Sequence, residues 1–232
     1  PVHLAHSVST IDNISDGRVI LGLGAGRSNN QMFVDEHSFV GVPIEERADR
    51  MEESIDLLRK LWSEDEVSNP EGFYPLNNMS LEPRPVQEQV PIWLSSNWVQ
   101  RGLRRVAAQG DGWITNVPST EMFTKCWDKI EEKSKEIGRD PGTLKRCLYI
   151  SVNLNDEDEA LAEGDGFMQA YYGIPYEVVS KQLLCVFGPA RKVIDAIQRY
   201  KEAGVDYFIV RFASPNQMDQ LSKFTELVAP HV

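Results

Sequence analysis

Short apolar runs alternate with amphipathic segments along the whole chain. Five of these runs predict buried β-strands, because each is mostly apolar, four to eight residues long and bounded by turn-forming residues. The predicted strands cover residues 18–24, 91–94, 113–116, 146–153 and 207–211. Between them, apolar residues recur three or four positions apart, which is typical of helices that bury one face. Helices are predicted at residues 1–14, 45–62, 100–109, 120–137, 156–186, 189–203 and 218–228.

This alternation predicts an α/β fold. Strands that are apolar along their whole length are buried on both faces, and such strands form parallel sheets covered by the connecting helices. No internal repeat, low-complexity tract or linker divides the chain. We therefore predict a single domain over residues 1–232.

The charge balance disfavours polyanionic partners. The chain has 35 aspartates and glutamates against 24 lysines and arginines, so its formal net charge is −11. Affinity for nucleic acid or for an anionic membrane comes mainly from an excess of cations. The longest apolar runs, residues 19–25 and 207–210, are far shorter than the roughly 20 residues of a membrane span. We predict a small-molecule ligand, with no nucleic acid and no membrane as partner.

The cysteines and histidines indicate neither a disulfide framework nor a metal site. Cys126, Cys147 and Cys185 are odd in number and widely separated, which favours a reducing compartment and a cytoplasmic location. His3 and His6 share the face of a predicted helix, but no third ligand is near them in the sequence. No metal is therefore predicted.

The candidate chemistry lies at the carboxyl ends of the predicted strands. Parallel strands bring these ends to one edge of the sheet, where the loops of α/β proteins carry their sites. Glycines, hydroxyls, amides and arginines occur there, without a carboxylate pair, a histidine or a cysteine. They are residues 24–29, Ser95, Ser96, Asn97, Thr115, Asn116, Asn153 and Arg211. This set predicts a cradle for a phosphorylated or heterocyclic cofactor.

Two of these segments were compared with known phosphate-binding patterns. The glycine run 22–26 departs from the dinucleotide fingerprint, because Arg27 replaces the third glycine and no acidic residue ends a strand about 20 positions later. A nicotinamide dehydrogenase is therefore disfavoured. Ser95–Asn97 precedes a predicted helix and can bind an anion or simply cap that helix. Arg27 and Arg211 can neutralise a phosphate or form surface ion pairs.

An aromatic group follows the fourth predicted strand. It predicts either an apolar lid over the strand ends or plain packing. Its members are Phe167, Tyr171, Tyr172 and Tyr176.

A series of short motifs follows one another along nearly the whole chain. They are STIDNISDGR (9–18), LGLGAG (21–26), RADR (47–50) with Glu53, LW (61–62), PRP (83–85) with Gln87, PIW (91–93), AAQGDGW (107–113), GRDP (138–141), and AGVD (203–206) before the FIVRF strand (208–212). In this order and spacing they resemble the luciferase-like monooxygenase superfamily.

The resemblance implies a (β/α)8 TIM barrel of the bacterial luciferase type. It places Pro1 in the helix after the third barrel strand, so the chain would cover roughly strands 4 to 8, with the N-terminal strands absent. An eight-stranded barrel typically needs about 250 residues. The sequence is therefore expected to be the C-terminal part of a longer chain.

The resemblance also implies a cofactor, either FMN or the deazaflavin coenzyme F420. Gly24, Ala25, Gly26, Arg27 and Asn29 correspond to the family's flavin-contacting turn after strand four. Ser95, Ser96 and Asn97 stand where relatives often have a Gly-Gly-Ser stretch near the cofactor phosphate. Thr115, with Asn116, falls next to the ring or ribityl region. Relatives commonly have tryptophan in place of Arg27, and serines replace the glycine pair, so the identity of the flavin stays open. No catalytic residue is implied.

Three functions follow from this resemblance. The first is a monooxygenase that uses reduced FMN and dioxygen on a small organic substrate, together with a separate flavin reductase. The second is a hydride-transfer oxidoreductase that depends on coenzyme F420. The third is a non-catalytic flavin-binding protein. Because the first helix resembles one that packs across the family's dimer interface, a homodimer is expected.

Overall fold

The computed structural model describes residues 1–26 and 31–232. Its helices are α1 (Val2–Ser15), α2 (Gln31–Phe39), α3 (Arg47–Ser63), α4 (Gln100–Gln109), α5 (Thr120–Glu136), α6 (Glu157–Tyr172), α7 (Tyr176–Val179), α8 (Ala190–Glu202) and α9 (Gln217–Leu227). Its strands are β1 (Leu21–Leu23), β2 (Val67–Asn69), β3 (Leu76–Met79), β4 (Ile92–Ser95), β5 (Gly112–Thr115), β6 (Lys145–Leu154), β7 (Cys185–Gly188) and β8 (Tyr207–Phe212). Short 3-10 turns cover Ile44–Glu46, Pro141–Thr143 and Ala229–His231.

A six-stranded parallel sheet forms the centre of the fold, which confirms the predicted α/β class. Strands β1, β4, β5 and β6 are successive neighbours, and β8 pairs with the other edge of β6. Strand β7 pairs with the carboxyl-terminal half of β6, beyond the point where β5 ends. Strands β2 and β3 form a separate antiparallel pair.

The main core lies between the sheet and the helices on its convex side. Leu148, Ile150 and Val152 alternate along β6 and are fully buried there. Helix α8 buries Val193 and Ile197, four residues apart, in the same core. A helix that repeats apolar residues at this spacing presents one continuous apolar stripe to a sheet, so the chain pattern itself directs this layer.

The sheet curls strongly, because a glycine lets an indole cross over one strand. A Cβ built on Gly112 of β5 would lie 2.6 Å from the Trp93 ring of β4, closer than real side chains approach. Trp93 uses this space, and its ring centroid comes within 4.9 Å of that of Tyr207 on β8. Two rings from strands separated by β5 and β6 can meet only on the concave face of a curled sheet.

The structure changes several predicted boundaries. All five predicted strands are present, but β1 begins at Leu21 rather than at residue 18. Strands β2, β3 and β7 and helix α2 were not predicted. The helix predicted over residues 156–186 was wrong in its second half. There α6 ends at Gly173, whose φ of 70° suits glycine, and the chain continues through the short α7 to β7.

Within the described parts of the chain, no helix is long and apolar enough to cross a bilayer. All three cysteines carry free thiols; Cys126 and Cys147 are buried and Cys185 is half-buried.

A buried aspartate on α1 ties this helix to two other segments. Asp12 is fully buried. Its carboxylate accepts hydrogen bonds from the backbone and side-chain amides of Gln87, at 3.0 and 2.7 Å, and from the backbone N–H of Val19 at 3.4 Å. Burial alone raises the pKa of Asp12, but these hydrogen bonds outweigh it and hold the pKa below its ordinary value.

We expect Asp12→Asn to lower the free energy of unfolding by about 1–3 kcal/mol at pH 7, because an amide cannot accept all three hydrogen bonds. A group with a depressed folded pKa stabilises the fold above its unfolded pKa of about 3.9, and this contribution is lost as pH falls through the folded value. The difference between wild type and variant should therefore shrink below about pH 4, as measured by urea unfolding at several pH values.

Asp16→Asn is the matched control. Asp16 is exposed and adopts a left-handed conformation with φ of 54°, which asparagine also tolerates. The free energy of unfolding of Asp16→Asn should stay within about 0.5 kcal/mol of the wild-type value. Equal losses for the two substitutions would contradict the role assigned to Asp12.

Candidate functional site

A cavity of about 520 Å³ opens at the carboxyl ends of β1, β4 and β5. Loops after these strands, the starts of α3 and α4, and the chain after α6 form its walls. The lining residues are Gly24, Ala25, Gly26, Phe33, Glu45, Arg47, Ala48, Ser95, Ser96, Asn97, Val99, Arg101, Gly102, Arg105, Asn116, Tyr172, Ile174, Val179, Gln182 and Leu183. The cavity therefore lies where the topology of a parallel sheet places a binding site.

The loop after β1 and the end of β4 meet closely at the cavity floor. A Cβ on Gly24 would lie 3.3 Å from the Cβ of Ser95, tighter than most real contacts. Gly26 has a φ of 70°, which suits glycine. These two glycines let the loop pass close to β4 and leave its backbone open to a ligand.

Ser96 fills a notch in helix α4. Ser96 is 8% exposed, and a Cβ on Gly102 would lie only 2.2 Å from its hydroxyl oxygen. The indole N–H of Trp113 donates to the Ser96 carbonyl at 2.7 Å. Glycine at position 102 is what lets the first turn of α4 pack against the end of β4.

Asn97 is oriented by the neighbouring strand β5. Its side-chain oxygen accepts from the Thr115 hydroxyl at 2.8 Å and from the Asn116 backbone N–H at 3.3 Å. Its side-chain amide donates to the Asn116 side-chain oxygen at 2.6 Å. Thr115 is 1% exposed and is absent from the lining, so it stands behind Asn97 and fixes the orientation of this amide.

Three arginines line the cavity, and two of them are held by carboxylates of α3. Arg105 pairs with Glu52 at 2.8 Å, and Arg101 pairs with Glu52 at 3.3 Å and with Asp49. The hydrogen bonds that Arg101 donates to Asp49 and Glu52 raise the pKa of Arg101. Arg47 is the third arginine, and among the described lining residues Glu45 is the only carboxylate. The described lining thus presents three guanidinium groups and one carboxylate to the cavity, while Asp49 and Glu52 pair with Arg101 and Arg105 from behind it.

The structure brings most of the predicted site residues together. Seven of them line the cavity: Gly24, Ala25, Gly26, Ser95, Ser96, Asn97 and Asn116. Thr115 supports the wall from behind, and Arg27 and Asn29 lie outside the described residues. Asn153 is fully buried and donates to Glu163 and to the Ala213 carbonyl.

Sequence reasoning missed the three cavity arginines, because they lie within helices α3 and α4 and not at strand ends. The RADR motif at residues 47–50 and the arginines that follow Ser95–Asn97 were the available signals. Of the four aromatic residues considered as a lid, Tyr172 alone belongs to the described lining. Phe167 stacks on Tyr171, and Tyr176 packs against Phe187.

Cationic side chains, a helix start and amide groups around one cavity suit a ligand with a phosphate and a polar ring system. FMN and coenzyme F420 both have this character, so the residues present fit either cofactor. In the described part of the chain, no three histidine, cysteine or acidic side chains lie close enough to hold a metal.

Comparison with known proteins extends this picture. The family described as luciferase-like monooxygenase matches residues 1–207. An F420-dependent glucose-6-phosphate dehydrogenase from Kribbella flavida is 25% identical over 252 residues, covering 99% of this chain and 74% of that protein.

Two solved structures share the fold. An F420-dependent secondary alcohol dehydrogenase in complex with an F420-acetone adduct has a TM-score of 0.80 and 23% identity, over 98% of this chain and 74% of that one. A monooxygenase from Streptomyces bottropensis has a TM-score of 0.79 and 21% identity, over 100% of this chain and 74% of that one. These likenesses show that the curled parallel sheet belongs to the fold of the luciferase-like barrels.

The notch at Gly102 gives a direct test of the site's packing. In Gly102→Ala, the new methyl group must displace Ser96, which we expect to lower the free energy of unfolding by about 1–3 kcal/mol. Gly166 of α6 is the matched helical control, because nothing lies within 4 Å of a Cβ built on it. Gly166→Ala should raise the stability by about 0.5–1 kcal/mol through helix propensity. Urea unfolding measures both, and similar gains for the two variants would contradict the packing described here.

Proposed function

Because the chain belongs to the luciferase-like monooxygenase family, we propose that it is an oxidoreductase that binds coenzyme F420 and transfers a hydride between this deazaflavin and a small organic substrate. One observation carries the proposal: the cavity at the carboxyl ends of β1, β4 and β5 combines a glycine-lined floor with three arginines. This combination suits a phosphate-bearing, planar cofactor.

The choice of F420 over FMN rests on the relatives. The Kribbella flavida relative, which aligns with 99% of this chain, is named as F420-dependent. The solved alcohol dehydrogenase is F420-dependent too. The Streptomyces bottropensis monooxygenase has nearly the same fold similarity, so the fold alone does not distinguish the two chemistries. The relatives thus favour the deazaflavin alternative over the FMN and dioxygen interpretation, and the separate flavin reductase belongs only to the latter.

The chain's own residues would bind and orient the cofactor. Arg101 in the first turn of α4 and Arg105 in its second turn would neutralise its phosphate, together with the backbone N–H groups at the start of this helix. The floor at Gly24 lets a flat ring approach the backbone. Asn97, fixed by Thr115, would present its amide to the polar edge of the ring. When bound, the deazaflavin supplies the hydride chemistry, and no residue of the chain is assigned as acid or base.

We further propose that β1, β4, β5, β6 and β8 occupy the positions of strands four to eight in an eight-stranded barrel. These five strands are parallel and neighbour one another in chain order, as barrel strands do. The match to 74% of the solved alcohol dehydrogenase supports this assignment. In this proposal residues 1–232 belong to one domain.

Cofactor titration of the purified protein tests the main proposal. We expect reduced or oxidised F420 to bind at least tenfold more tightly than FMN. Cofactor fluorescence measures the binding of each. Tighter binding of FMN, with oxygen consumed during turnover, would instead support the monooxygenase interpretation. Binding of F420 without hydride transfer to any of a panel of alcohols and sugar phosphates would support the non-catalytic flavin-binding alternative.

The two glycine variants sharpen this titration. Gly102→Ala moves Ser96 at the cavity wall and should weaken F420 binding about tenfold. Gly166→Ala leaves the cavity unchanged and should bind like wild type. Adding Ser96→Gly to Gly102→Ala removes the clash and should recover part of the lost affinity. Equal binding by both single variants would place the cofactor elsewhere.

A homodimer is proposed as the assembly. Leu4, Ile11 and Ile14 of helix α1 are exposed, and the exposed fraction of Ile14 is 80%. Apolar residues grouped on an exposed helix favour an interface. Sedimentation at micromolar concentration should give a dimer, and Ile11→Glu combined with Ile14→Glu should shift it towards monomer. A wild-type protein that sediments only as a monomer would contradict this proposal.

A further inference from the structure

Arg211 of β8 lies on the concave face of the sheet, the same face as the cavity floor. In β6, Cys147 and Ser151 are four residues apart and therefore point to the same side. Register pairs Ser151 with Arg211, Cys147 with Ile114, and Ile114 with Ser95. Partners in a parallel register share a face, so Arg211 and Ser95 project into the same curled space.

The Arg211 guanidinium is enclosed by aromatic rings. Its Cζ lies 4.7–5.7 Å from four ring centroids, those of Tyr149, Phe167, Tyr171 and Tyr172. Its Nη2 donates to the Ser151 hydroxyl at 2.9 Å and lies 3.9 Å from the Met168 sulfur. Rings stabilise the charge and fix the plane of the guanidinium.

One donor of this guanidinium has no acceptor. The Arg211 Nε is buried without a hydrogen-bond partner. Among the ion pairs of residues 1–26 and 31–232, none includes Arg211. A buried, unsatisfied donor on a charged group is costly, so a ligand oxygen that reached this N–H would satisfy it and neutralise the guanidinium.

The neighbouring titratable groups do not supply the missing anion. Burial raises the pKa of Tyr149, although Arg211 lowers it in part. Burial likewise raises the pKa of Cys185 to about 11, against the opposing effects of Arg211 and Ser151. Both groups are neutral at pH 7. Glu163 is already engaged by the Asn153 amide and the Ser214 hydroxyl.

We propose that Arg211 is a subsite for an oxyanion of the substrate, a carboxylate or a phosphate, which its guanidinium would bind through Nε. Arginine suits this role because its planar fork matches the geometry of both groups. Tyr172 joins the subsite to the cavity, because it lines the cavity and also stacks near Arg211.

The subsite is distinct from the position proposed for the cofactor phosphate. Arg101 and Arg105 follow β4, whereas Arg211 lies on β8, three strands further along the sheet. With about 4.8 Å between neighbouring strands, the two positions are roughly 14 Å apart along the sheet. Because Arg211 and the α4 arginines are carried by different strands and helices, we assign the anion at Arg211 to a second ligand and not to the cofactor phosphate. The assignment to a substrate rests on the proposed function.

Calorimetric titration with inorganic phosphate and with benzoate tests the subsite, using the protein with and without saturating F420. We expect wild type to bind at least one of these anions whether or not F420 is present. Arg211→Met should weaken anion binding at least tenfold, and Arg211→Lys should weaken it by a smaller factor. In both variants the affinity for F420 should change less than threefold. Arg146→Met is the matched control, because Arg146 also stacks on a ring, that of Trp127 at 4.9 Å, and it should bind the anions like wild type.

Three results would overturn the subsite: anion binding that is unchanged in both Arg211 variants, anion binding lost equally in Arg146→Met, or displacement of F420 by phosphate in wild type. Arg211-dependent anion binding in a protein that fails to bind F420 would support the subsite and refute the proposed function. The two proposals can therefore fail separately.

Discussion

The parallel direction of six strands is the constraint on which the rest of the structure depends. It sends every strand's carboxyl end to one edge, so the loops after β1, β4 and β5 meet although about 20 to 90 residues separate them along the chain. The curl through Trp93, Gly112 and Tyr207 then turns one face of the sheet inward. A flat sheet of the same strands would leave the cavity floor and Arg211 far apart.

Charge is distributed unevenly over this frame. An acidic chain places arginines at the cavity, and it orients two of them with carboxylates one helix away, on α3. Such pairs fix the geometry of the guanidinium groups while leaving other N–H donors free for a ligand. The cavity is therefore lined by guanidinium groups although the net charge of the chain is −11.

Much of this arrangement could be predicted from the sequence. The apolar runs identified the five strands that form the curled path, and strand ends identified seven of the cavity residues. The short strand β7 could not be predicted, because Cys185–Gly188 follows a long segment of helical character and pairs with a strand that ends 31 residues earlier. Thr115 was expected at the ligand, but strand alternation buries it. The cavity arginines and the notch at Gly102 depend on helix packing, which local patterns do not encode.

Strand β6 is ten residues long, and two different strands share one of its edges. Strand β5 occupies the first half and β7 the second, and the Leu184 backbone N–H donates to the Asn116 carbonyl at 2.8 Å where the two meet. The segment from α6 to β7 is thus attached to the carboxyl-terminal half of β6. The amino-terminal half of that strand is already paired with β5. A change in the length or sequence of this segment would therefore reshape one wall of the cavity, to which it contributes Tyr172, Ile174, Val179, Gln182 and Leu183, and would leave the pairing of the other five strands intact.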